Sequence, residues 1–154
     1  ALYCNRASEK LRKQNYTTCA LQVFIQTSPF DKNPYYNSCT IQLPYATDDV
    51  RMITSYARHA ASRLYREGFL YYKAGIGLLD LAPKFHAQID LFTPGQTTQS
   101  KELMGVLDNV NAKFGRGALF LASEGTEKKW LMRQNLKSPN YTTSWSELPK
   151  AICS

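Results

Sequence analysis

The chain has 154 residues, 44% hydrophobic and 20% charged, enough for one compact domain or for a domain of about 90 residues with an appendage. That length excludes a complete polymerase or kinase, the apolar content excludes wholesale disorder, and no apolar stretch approaches the roughly 18–20 residues needed to cross a bilayer. Nineteen basic against twelve acidic residues give a net charge of +7, which favours a polyanionic partner such as nucleic acid.

Residues 1–15 place Tyr3, Ala7, Leu11 and Gln14 on one face and Arg6, Lys10 and Lys13 on another, the period of an amphipathic helix. From residue 17 to 26 the period becomes two: Cys19, Leu21, Val23 and Ile25 point one way and Gln22, Phe24 and Gln26 the other, as in a half-buried strand. The turn formers of residues 27–34 lead to a second alternation, Cys39, Ile41 and Leu43 against Thr40 and Gln42, which makes a long-looped hairpin. Thr47-Asp48-Asp49 is a helix start, with a capping hydroxyl and carboxylates at the positive end of the dipole. That helix is expected to run to Glu67 with Val50, Ile53, Ala57, Ala60, Ala61 and Leu64 inward, and Gly68 to end it. Tyr72, Ala74, Ile76 and Leu78, alternating with Tyr71, Lys73, Gly75 and Gly77, predict a third strand closed by Pro83.

Residues 86–100 break both periods and read as a peptide and polar linker. Beyond it, residues 101–113 regain helical spacing through Leu103, Leu107 and Val110, residues 118–122 suggest a short strand, and residues 128–136 a last helix. The expected class is α+β: an antiparallel sheet backed by two helices over residues 1–85, then a small mixed α/β unit over residues 101–154. With so few apolar anchors, that unit is marginal unless it docks on something.

No catalytic constellation emerges. Asp48-Asp49 is the only adjacent acid pair, whereas metal-assisted phosphoryl transfer needs carboxylates converging from separate elements. No nucleophile elbow surrounds a serine. Gly75-Ile76-Gly77 lacks the third glycine of a dinucleotide loop, and serves better to let a ligand or backbone come close to the sheet. Cys4, Cys19, Cys39 and Cys153 contain no C-x-x-C pair, so a metal site is not expected. Cys19 and Cys39 suit buried, reduced thiols of a cytoplasmic protein.

The outward sheet face is more informative. Gln22, Gln26, Thr40, Gln42 and Lys73, flanked by Thr27, Ser28, Tyr35, Tyr36 and the bare Gly75, offer amide, hydroxyl and ammonium donors of low bulk, suited to phosphate oxygens but equally to an ordinary solvated face. Gln88-Ile89-Asp90-Leu91-Phe92 reads either as a fourth strand or as a docking peptide, with the Gln88 amide in a polar pocket and Leu91 and Phe92 in an apolar cleft.

Seven collinear blocks carry a family resemblance: residues 5–12 (NRASEKLR), 24–30 (FIQTSPF), 34–36 (PYY), 72–75 (YKAG), 88–92 (QIDLF), 111–117 (NAKFGRG) and 138–143 (SPNYTT). Through them the whole chain resembles the C-terminal region of UmuC-type Y-family DNA polymerases. The resemblance implies a DNA-gripping little-finger domain at residues 1–85, lacking its first strand. It implies a sliding-clamp motif in Gln88, Ile89, Asp90, Leu91 and Phe92, and a C-terminal domain where a UmuD′ dimer or RecA makes contact. The catalytic carboxylates and Mg2+ belong to parts of the parent not included here, so neither cofactor nor catalysis is expected of this chain. The open sheet edge is expected to be filled by another segment, from the peptide near Gln88 or from a neighbouring molecule in a strand-swapped oligomer. A protein-interaction module with little DNA affinity is the alternative reading.

Overall fold

The computed structural model describes residues 1–84, 95–127 and 136–149. Its elements are α1 Leu2–Lys13, β1 Tyr16–Thr27, β2 Tyr36–Thr47, α2 Val50–Leu64, β3 Tyr71–Pro83 and α3 Thr98–Phe114. The strands form one antiparallel sheet in the order β2-β1-β3, and the fold is α+β. The main core joins Cys4 of α1, Leu21, Val23 and Ile25 of β1, Leu43 of β2 and Ile53, Ala57, Ala60 and Leu64 of α2. Both helices therefore cover the same face of the sheet. Leu21 and Ile53 are wholly buried, each contributing roughly 2–3 kcal/mol of transfer free energy.

The predicted periods hold, but local phases shift. Helix α1 buries Cys4, Ser8 and Leu11 while Tyr3 is exposed, one residue away from the expected stripe. Small side chains let α1 sit close to the sheet, and the buried Ser8 hydroxyl donates to the Cys4 carbonyl, satisfying itself within its own turn. In β1, Cys19 is only half-buried because the β1–β2 register breaks there: Thr18 pairs with Thr47, but Ala20 pairs with Gln42. The surplus residues of β2 include Pro44, which an edge strand tolerates.

A second register shift, between Gln26 and Thr27, pairs Gln26 with Lys73 and Thr27 with Tyr71. The extra residue, Tyr72, is turned out to solvent, and Tyr71 packs on the core in its place. Helix α2 stops at Leu64, short of Glu67. The Tyr35 hydroxyl donates to the Leu64 carbonyl at 3.0 Å, and the Tyr71 hydroxyl takes the Arg66 N–H at 2.7 Å. Two phenols thus occupy backbone groups that another helical turn would use. Gly68, at φ 87°, lies in the turn beyond.

The expected strand at residues 118–122 does not form. The Asn111 side chain instead accepts the Leu119 N–H and donates to the Leu119 carbonyl, and a 3-10 turn, Ala122–Glu124, follows. The described part of the C-terminal unit is therefore α3 and turns, not a mixed α/β unit. The helix expected at residues 128–136 falls largely outside the described residues. Helix α3 begins three residues inside the expected linker because Thr97 caps it, accepting from the Ser100 N–H at 3.2 Å. Among the described residues no fourth strand joins β2 or β3, and the peptide near Gln88 that was expected to fill the edge lies outside them.

Helix α3 is fastened by a polar junction that the sequence did not foretell. The Arg12 guanidinium, 7% exposed, donates from Nε and Nη2 to the two Asp108 oxygens at 2.6 and 2.7 Å, and from Nη1 to the Asp48 carbonyl at 3.1 Å. The Asp48 carboxylate takes Lys84 Nζ at 2.5 Å and Gln96 Nε2 at 2.8 Å. Asp49 caps α2 by accepting from the Arg51 N–H, and it accepts the Ser100 hydroxyl at 2.6 Å. Burial pushes the Asp49 carboxyl up, but hydrogen bonds from the Arg51 side chain, Ser100 and the Arg51 backbone outweigh it and hold it below the usual aspartate range. Val50, Met104 and Leu107 pack beside this network.

Arg12→Ala would strand the Asp108 carboxylate and is expected to cost about 2–3 kcal/mol, below the full penalty for a buried pair because Asp108 is partly exposed. Arg12→Met with Asp108→Leu is expected to cost less than half of that. Urea unfolding midpoints at constant slope measure both; a single-change loss under about 0.5 kcal/mol would contradict the anchoring role.

Candidate nucleic-acid interface

The sheet face opposite the helices is set by register. Gln26 lies between Tyr36 and Lys73, Phe24 between Ser38 and Gly75, Gln22 between Thr40 and Gly77, and Ala20 between Gln42 and Leu79. Leu21, Val23 and Ile25 face the core, so strand alternation turns Gln22, Phe24 and Gln26 outward, while Ala20 is buried. Six of the predicted binding residues, Gln22, Gln26, Thr40, Gln42, Lys73 and Gly75, therefore share one surface. Thr40, Gln42 and Lys73 are exposed, while Gln22 and Gln26 on the central strand are half-buried.

Two predicted residues do not join them. Thr27 is 1% exposed, and its hydroxyl takes the Tyr35 N–H at 2.8 Å. The register shift at this position turns it inward, and it fastens the hairpin loop. Ser28 is half-buried and accepts from the Phe30 N–H at 3.3 Å. Tyr35 also leaves the flank, since its ring packs on Phe69 at 5.0 Å and its hydroxyl binds Leu64.

Phe24, which sequence reasoning placed outward but gave no role, is the centre of the face. Its ring lies across Gly75: a Cβ at that position would stand 2.5 Å from Phe24 Cζ. Glycine is needed here for that approach rather than for its backbone angles. Lys73 Nζ stands 5.9 Å from the ring centroid, within the range of a cation–π contact. The signal available in the sequence was a phenylalanine in the polar register of β1, with a glycine on the partner strand.

Amide and hydroxyl donors, one ammonium and a flat apolar ring are thus spread over three strands with no carboxylate among the paired positions. Such a surface can donate to phosphate oxygens and lie against sugars, and its paired positions carry no arginine fork for a guanine edge. Among the described residues no three His, Cys, Asp or Glu side chains converge as a metal site, and Asp48 and Asp49 are spent in the junction. Gln88, Ile89, Asp90, Leu91 and Phe92 lie outside the described residues.

Residues 1–91 match the impB/mucB/samB family C-terminal domain, and residues 101–151 match a domain of unknown function, DUF4113. Protein MucB of Salmonella typhimurium is 40% identical over 152 residues, covering 97% of this chain and 36% of that protein. Protein UmuC of Salmonella typhimurium strain LT2 is 40% identical over 149 residues, covering 95% and 35%. Protein ImpB of Salmonella typhimurium is 38% identical over 152 residues, covering 97% and 36%. The chain spans about a third of the length of these curated relatives.

Gly75→Ala is expected to push the Phe24 ring aside and cost about 1 kcal/mol, whereas on a Phe24→Leu background the same change is expected to be neutral or stabilising, since alanine suits a strand better than glycine. A double-mutant cycle by urea unfolding measures the coupling. Additive effects would show that the ring does not rest on Gly75.

Proposed function

Since the chain belongs to the impB/mucB/samB family and carries that family's C-terminal domain, we propose that it is the DNA-gripping and clamp-tethering part of an error-prone translesion DNA polymerase of the SOS response. It has no catalytic role of its own in this reading; nucleotide transfer and Mg2+ belong to the rest of the parent protein. The chain acts in the cytoplasm on template-primer DNA. The observation that carries the proposal is the carboxylate-free row of donors across β2, β1 and β3, with Phe24 at its centre. Contacts of this kind follow the sugar–phosphate track and bind without regard to sequence.

Lys73 is the one cation in that row, so hydrogen bonds and the ring carry much of the contact there and the electrostatic share is modest. Titration of the 154-residue chain with labelled primer-template at several salt concentrations tests this. Affinity is expected to fall with salt, and Lys73→Ala to weaken binding alike on all sequences and flatten the log–log slope by about 1. Salt-insensitive or sequence-dependent binding would overturn the reading.

The tether rests on the sequence of Gln88 to Phe92, where an amide and two apolar side chains suit a polar pocket beside a cleft. Contacts with a UmuD′ dimer or RecA are assigned to residues 101–154 as a whole. Changing Gln88, Leu91 and Phe92 together to Ala is expected to abolish binding to purified clamp and leave primer-template affinity unchanged. Loss of both would contradict the division of labour. Clamp binding without any DNA affinity would make the chain a protein-interaction module instead.

A further inference from the structure

We infer that the groove between α1 and α3, on the helical side of the molecule, is a docking site for an acidic segment of a partner protein. Two stretches a hundred residues apart form its walls. On α1, Arg6, Lys10 and Lys13 recur at helical spacing and are exposed; opposite them stands the loop that follows α3, with Arg116. The groove between them encloses about 480 Å³, room for a few peptide side chains.

The far wall is built rather than loose. Asn111 Oδ1 accepts the N–H groups of Gly117 and Leu119 at 3.1 and 3.0 Å, and its Nδ2 donates to the Leu119 carbonyl at 2.8 Å. Gly115 and Gly117, at φ 97° and 86°, supply the left-handed backbone of this reversal. The loop thereby holds Arg116 over the groove, 3.2 Å from Glu9 of α1.

Charge then selects the ligand. Two of the groove's three acids are already engaged, and the third, Glu124, is buried in the wall. Glu9 is gripped by Lys13 at 2.7 Å and by Arg116, and Lys13 first among these holds its carboxyl below the usual glutamate range against the opposing effect of burial. Asp108 is held by Arg12 from below. Arg6 and Lys10 pair with no carboxylate among the described residues. The result is a concave site with two uncommitted cations, two engaged carboxylates and a buried third in its walls.

A peptide can thread its own carboxylates between Arg6 and Lys10. A duplex backbone suits the site poorly, because a rigid double helix cannot enter a groove with room for only a few side chains. Nor can a duplex lying on the open face reach round to the helices. This inference does not depend on the DNA reading of that face.

The test uses the 154-residue chain with a fluorescein-labelled twelve-residue peptide of repeating Glu-Glu-Leu and its Lys-Lys-Leu counterpart. The acidic peptide is expected to bind saturably and the basic one not at all. Arg6→Gln with Lys10→Gln is expected to weaken acidic-peptide binding about tenfold, and Arg116→Gln, from the other wall, to weaken it severalfold. All these positions are exposed, so urea midpoints should stay in place, and Lys73→Ala on the open face should leave peptide binding intact. The inference is overturned if the acidic peptide fails to saturate, or if its affinity ignores the Arg6/Lys10 change. It is also overturned if that change lowers duplex affinity by the same factor, which would make the groove a nucleic-acid contact.

Discussion

A guanidinium taken out of water must spend its donors, and Arg12 spends them on groups that belong to different parts of the chain. Two go to the Asp108 carboxylate of α3 and one to the Asp48 carbonyl ahead of α2, with Met104 Sδ at 3.7 Å from the same nitrogen. Removing any one partner leaves a desolvated charge behind, so the three segments hold together or fail together. The C-terminal helix is a docked layer for this reason, although its apolar anchors, Met104 and Leu107, are few. The α1–α3 groove exists because the same contact sets those helices side by side.

Asp48 extends that junction. Lys84, just after β3, and Gln96, just before α3, both end on its carboxylate. The flanks of residues 85–94 are thereby brought to one point, next to the start of α2. Gln96 Oε1 also receives the Thr47 hydroxyl at 3.1 Å. An acid pair that resembles a fragment of a metal site is thus a fastening: one carboxylate caps a helix and the other gathers two chain segments.

The sheet divides the molecule's two candidate surfaces. On one side, alternation leaves a thin, carboxylate-free layer of donors around Phe24; on the other, the helices present a groove of mixed charge. An extended polyanion suits the first, where the paired positions carry no carboxylate, and a short acidic peptide suits the second, where walls and isolated cations limit what enters.

Much of this was legible in the residues themselves. The period-two run from Leu21 to Gln26 determined both a strand and which of its side chains face outward, because a strand's alternation is a local property. The helix start at Thr47–Asp49 and the α2 stripe were readable for the same reason, although the cap is the Asp49 carboxylate and not the Thr47 hydroxyl. Phase errors arose where a distant partner intervened: Tyr72 gave way to Tyr71 at a register shift, Thr27 turned inward with it, and α2 ended where the hydroxyl of Tyr35 met Leu64. The Arg12–Asp108 pair spans 96 residues, and no local pattern marks a charge that will be buried by a helix from elsewhere. Sequence determined the elements and their outward faces, through short-range sterics and hydrophobic period. Tertiary structure alone decided which polar side chains are spent inside and which are left to meet a ligand, because that depends on desolvation by residues remote in the chain.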